Sequence, residues 1–107
     1  MAHVKFETDK ITDWESFHQY SKEIFGFPDF YGKNMDARID CLTYIEENDG
    51  MSKFHLSKDE MLNVEVTETE DFNARLPDIF DALVECTAFV NSRYKRAVIA
   101  IVFTEKI

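Results

Sequence analysis

The chain has 107 residues, 45% hydrophobic and 31% charged with ten Phe; that is enough apolar surface for one core and too little length for two, so a single domain over 1–107 is expected and disorder is not. The 21 Asp and Glu against 12 Lys and Arg leave a net charge of -9, which repels nucleic-acid backbones and anionic membranes, favours cationic partners, and also serves solubility. The two cysteines lie inside amphipathic patterns, the start has no basic-then-apolar leader, and no apolar run reaches membrane-spanning length, so the expectation is a soluble, cytoplasmic chain without a disulfide framework.

HVKFET alternates Val4 and Phe6 with polar neighbours and predicts a first strand over 3–8. Thr12-Asp13-Trp14-Glu15 has the form of a capping box, and Trp14, Phe17, Tyr20, Ile24 and Phe25 follow at helical spacing until Gly26 and Pro28, which predicts a first helix over 13–25. Asn34 suits an N-cap, and Met35, Ile39, Leu42 and Ile45 mark the buried stripe of a second helix over 35–47, stopping near Asn48-Asp49-Gly50. MSKFHLSKDEM reads as an irregular connection in which Phe54 and Leu56 either pair as strand or pin a loop to the core.

LNVEVTET alternates Leu62, Val64 and Val66 inward, a second strand. Thr69 or Asp71 can cap a short helix through Arg75, and Pro77 suits the first turn of another that runs to about Ser92. AVIAIVF, residues 97–103, is continuously apolar and reads as a central strand covered on both faces. The order is β, α, α, β, α, α, β, and helical crossovers of this length predict an α/β fold: a small three-stranded parallel sheet layered with about four helices.

Chemistry-bearing residues concentrate in FPDFYGKNMDARIDCLTYIEEN, residues 27–48. With Met35 at zero and ~100° per residue, Ile39, Leu42 and Ile45 form the core face of the second helix, while Thr43, Asp36, Glu47 and Asp40 share an arc about 60° wide. Two aspartates at i, i+4 repel by a few tenths of a kcal/mol, and only Asp36, in the first turn, recovers some of that from the helix dipole. Four readings fit: a solvated helix face, a catalytic carboxylate pair, a metal clip, or a binding surface rimmed by Phe30 and Tyr31. Glycosidase chemistry wants acids on opposite sides of a bond, and one helix face makes an open, weak cation site. His3, His18 and His55 have no triad or metal spacing, with His18 read as a surface or boundary residue. No cofactor is expected. Cys41 and Cys86 read as packed thiols, and SRYKR, 92–96, as a helix C-terminal stretch that complements the dipole.

The run Pro28-Asp29-Phe30-Tyr31-Gly32-Lys33-Asn34-Met35-Asp36-Ala37, with Asp40-Cys41-Leu42-Thr43, resembles the signature of the barstar family, intracellular protein inhibitors of secreted microbial ribonucleases, and fits P-x-[FY]-Y-G-x-N-x-D-A-x-x-D-C-L without a gap. The resemblance implies that Asp36 and Asp40 enter a ribonuclease active site and stand in for RNA phosphate against its basic residues. It assigns contact roles to Phe30, Gly32, Asn34, Ile39, Thr43 and Tyr44 by position, and Glu47 joins them as part of the acidic arc. Departures from the best-known member are Phe30 for a tyrosine, Ile39 for a tryptophan, Tyr44 for a glycine and Lys33 for an acid, which implies a different target. The implied partner is a basic ribonuclease or nuclease toxin, the latter making this an immunity protein, with no direct nucleic acid and no membrane. The alternative is a regulatory or scaffold module that binds another basic protein.

Overall fold

The computed structural model describes residues 2–47 and 51–105. Strands β1 (Ala2–Phe6), β2 (Leu62–Val66) and β3 (Ile99–Phe103) form one parallel sheet in the order β1-β2-β3. Helices α1 (Trp14–Phe25) and α2 (Met35–Thr43) fill the first crossover, and α3 (Thr69–Arg75) and α4 (Pro77–Tyr94) the second. Two right-handed crossovers stepping the same way across a sheet put all their helices on one face. The burial alternation agrees: Val4, Phe6, Leu62, Val64, Val66 and Ile99 are buried, whereas His3, Lys5, Asn63, Glu65, Ala100 and Val102, which share the intervening register rows, are not.

Several expectations need correction. β3 is not a central strand covered on both faces; it is an edge, and β2 is the middle strand. Its apolar run misleads because Ile99 and Ile101 face the helices while Val102 sits on the uncovered side, 46% exposed. The first strand ends at Phe6, and a 3-10 turn over Thr8–Lys10 follows it. The capping box of α1 is shifted by one: Asp13 accepts from Ser16 N–H, and the Ser16 hydroxyl accepts from Asp13 N–H. Ahead of α3 the capping position is Glu68, left-handed at φ 45° and without a side-chain cap, while Thr69 Oγ1 donates to Val66 O.

The core is aromatic and lies between the sheet and the helices. Phe6 stacks on Tyr20 at 5.0 Å and meets Phe17 edge-on at 6.0 Å, a geometry that adds to simple burial. Gly26 closes α1 in the left-handed region at φ 69°, where a Cβ would also lie 2.8 Å from Lys53 Cβ. The connection 51–61 is irregular and pinned: Lys53 N–H donates to Phe25 O, Leu56 N–H donates to Ile45 O, and Leu56 is buried.

Candidate functional site

The approach to α2 begins with the turn Phe27–Asn34. Its two adjacent aromatics part company. Tyr31 turns inward, packs on Phe27 at 4.9 Å and hydrogen-bonds His18 Nδ1 through its hydroxyl at 2.7 Å; Phe30 turns outward and is 76% exposed. The expected aromatic rim is therefore Phe30 alone. Burial pushes the Tyr31 hydroxyl well above its ordinary pKa, and holds His18 below its own, with the Arg38 and Lys33 charges acting the same way. His18, read from sequence as a surface or boundary residue, is buried, because its ring stacks on Trp14 and its nitrogen has the Tyr31 partner.

Asn34 caps α2 as expected: its Oδ1 accepts from Ala37 N–H at 2.8 Å, and its Nδ2 donates to Gly32 O. A Cβ on Gly32 would approach that Nδ2 to 3.2 Å, so glycine keeps the cap in place. The helix then stops at Thr43, four residues before the predicted end. Ile45 N–H turns back to Leu42 O and Glu47 N–H to Tyr44 O, which carries Ile45 into the core without further helix. Helical spacing persists through this turn because Ile45 is buried either way. The predicted stop at Asn48-Asp49-Gly50 lies outside the described residues.

On the outer face of α2, Asp36 and Asp40 are exposed and have neither an ion-pair nor a hydrogen-bond partner among the described residues. Ile39 and Thr43 are partly buried beside them, and the Thr43 hydroxyl donates to Ile39 O at 2.7 Å. Tyr44 follows directly, its ring 49% exposed. Phe30, Gly32 and Asn34 in the turn, Asp36, Ile39, Asp40 and Thr43 on the helix, and Tyr44 at its end thus form one continuous segment. Glu47 does not belong to the helical stripe: it lies beyond the helix, exposed, with its carbonyl held by His55 Nδ1 at 2.8 Å. Glu46, which sequence did not single out, is bound to Arg96 at 2.5 Å. The Tyr94 hydroxyl reaches Thr43 O and ties the end of α2 to α4.

The inner face holds a second surprise. Arg38 is among the most buried side chains, with its guanidinium over the Phe17 and Phe25 rings at 5.2 and 5.4 Å. Its Nη1 donates to Cys86 Sγ at 3.2 Å and its Nε to Ser21 Oγ at 3.4 Å, and no carboxylate pairs with it among the described residues. Cys41 and Cys86 are buried free thiols, with Cys41 pushed up to about 11 by burial and then by the Asp40 charge. Among the described residues no group of three or more His, Cys, Asp or Glu is placed to hold a metal ion, and no helix is long and apolar enough to cross a membrane. An open cleft of ≈ 330 Å³ at the C-terminal end of the sheet is lined by Lys5, Glu7, Asp9, Glu65, Glu68 and Glu105 among others, without Ser, Cys or His.

The fold and site define a small acidic α/β domain whose capped helix α2 presents two carboxylates without partners among the described residues, just after a turn that exposes Phe30. More narrowly, the family model described as barstar, the barnase inhibitor, matches residues 1–104, and the chain belongs to the barstar family. No curated protein matches the chain.

Proposed function

We propose that this protein is a stoichiometric inhibitor of a basic ribonuclease or nuclease toxin, and that it blocks the active site by offering Asp36 and Asp40 where RNA would offer phosphate. The observation that carries the reading is that these two carboxylates are exposed on α2 with no partner among the described residues. An acid already paired within its own chain has little to give a partner; an unpaired one beside an exposed aromatic supplies charge and apolar anchor together. Phe30, Gly32 and Asn34 form the approach, Ile39 and Thr43 the floor between the acids, Tyr44 the far rim, and Glu47 an outlying charge. Family membership supports the partner class. The 49%-exposed Tyr44 ring fills space that a smaller residue would leave open, so it selects among nucleases by shape.

The test is inhibition of RNA cleavage by a panel of secreted basic ribonucleases, with the native chain and with Asp40→Ala and Glu70→Ala. Asp40→Ala is expected to weaken inhibition by on the order of 2–5 kcal/mol, because the enzyme's basic groups stay buried without their counter-charge, a range drawn in part from this family's type complex. Glu70→Ala, at an exposed position on α3, should change little. Equal losses would remove the assignment of the site. Binding through the Asp36–Asp40 stripe to a basic protein with no nuclease activity would instead make this a scaffold module.

A further inference from the structure

In a parallel sheet the N–H and C=O of one residue point to the same side, and successive residues alternate. Leu62 N–H donates to Val98 O and Thr104 N–H to Val66 O, so the even-numbered residues of β3 face β2. Ile99, Ile101 and Phe103 turn their backbone groups outward. By the same parity, Thr67 N–H donates to Phe6 O on β1, and Lys5 and Glu7 turn outward there.

Side chains cover part of each of these two edges. On β1 the Tyr20 hydroxyl accepts from Glu7 N–H at 2.9 Å and donates to Lys5 O at 3.4 Å. On β3 the Asn91 amide accepts from Ile99 N–H and donates to Ile99 O, both at 2.9 Å, as a neighbouring strand would. Beyond Asn91 the cover stops. Among the described residues no group pairs with the outward N–H and C=O of Ile101 and Phe103. The same stretch carries exposed apolar side chains: Val102 at 46% on the uncovered sheet face, and Phe103 at 50% beside Phe80 on the helix side, ring centroids 5.7 Å apart.

We propose that β3 pairs antiparallel with β3 of a second copy of this chain, about a two-fold axis at Val102, to form a weak dimer with a continuous six-stranded sheet. Three observations select a second copy as the occupant. The open groups are those of Ile101 and Phe103, flanking Val102, so Ile101 of one copy meets Phe103 of the other as hydrogen-bonded pairs and the two Val102 side chains meet as the close, non-hydrogen-bonded pair. The Asn91 clamp on Ile99 ends the pairing at both extremities, which fixes this register and no longer one. The charges also match: Lys95 precedes β3 and Glu105 follows it, both exposed, so antiparallel pairing turns the acidic end of each strand toward the basic end of the other. Two short strands edge to edge bury less than the roughly 1,200 Å² at the lower bound of stable interfaces, which is why the dimer is weak. This interface is independent of the α2 site.

Sedimentation equilibrium of the full chain across micromolar to millimolar concentration tests the proposal, with Val102→Lys and Phe89→Lys as variants. The native chain and Phe89→Lys, altered on the far side of α4, should dimerise alike; Val102→Lys should stay monomeric, because two ammonium groups would meet at the axis. Amide hydrogen exchange gives a readout that does not depend on a variant. Ile101 and Phe103 amides should slow as concentration rises while Ala100 and Val102, already bonded to β2, do not change. A native chain that remains monomeric at millimolar concentration, a Val102→Lys variant that dimerises normally, or Ile101 and Phe103 amides that exchange at one rate throughout would each overturn it.

Discussion

Arg38 is where residue type and position disagree. Its place on α2, three after Met35, lies within the core arc between Leu42 and Ile45, yet a charged residue beside two aspartates reads as surface, and position wins because the Phe17 and Phe25 rings, Ser21 and Cys86 receive the guanidinium. Periodicity was legible in the sequence; the aromatic box, built from α1, was not. A buried charge without a carboxylate costs more in desolvation than it returns, so Arg38→Leu is expected to stabilise the fold by about 1–4 kcal/mol, whereas Arg38→Ala, which opens a cavity, should destabilise it by about 2–5 kcal/mol. Urea unfolding of both variants decides this, and a destabilised Arg38→Leu would show that the guanidinium contacts outweigh the desolvation. His18 supplies the pH dependence at this scale. Burial first, then Arg38 and Lys33, hold its pKa below the ordinary value, so the unfolded chain takes up a proton that the folded chain refuses. His18's contribution is therefore complete above about pH 6.5 and shrinks as pH falls toward the folded-state pKa. His18→Gln should flatten the stability profile between neutral and mildly acidic pH, and an unchanged profile would assign that slope to other groups.

At the scale of elements, α2 is nine residues long, too short to persist without help from caps and packing. Asn34 was legible as its cap because the residue type and the apolar period that follows agree. The end was not legible: Thr43-Tyr44-Ile45 keeps helical spacing through a turn, and the ties that stop the helix, Tyr94 to Thr43 O and Arg96 to Glu46, come from α4 and the loop after it. Strand β3 failed in the same way, since an unbroken apolar run carries no sign of which neighbour it will have. Removing the cap with Asn34→Ala should cost about 1 kcal/mol of stability. Because Asp36 stands in the first turn, the same change should weaken nuclease binding beyond what global unfolding explains. Calorimetry under conditions where the variant is fully folded separates the two, and unchanged affinity there would make Asn34 a structural cap only.

For the whole molecule, the layer order was legible because every strand-to-strand connection in the sequence carries helices, which leaves a parallel sheet as the economical solution. That all helices share one face follows from the strand order β1-β2-β3, which no local pattern encodes. The charge of -9 acts at this scale as a field, and the unpaired Asp36 and Asp40 lie on its surface. With a basic nuclease as the proposed partner, long-range attraction would raise the encounter rate, and a Debye length that shrinks from about 30 Å at 0.01 M salt to about 3 Å at 1 M would remove that attraction while leaving buried contacts largely intact. Association should therefore slow by on the order of 10- to 1,000-fold from low to high salt, with dissociation changing far less. Asp36→Asn with Asp40→Asn should raise the dissociation rate at every salt concentration and take away only part of the salt slope, because the other acids still steer. Stopped-flow association at several ionic strengths separates these contributions: an association rate indifferent to salt in the native chain would mean that the acidic composition serves solubility alone and that the α2 acids act only after contact.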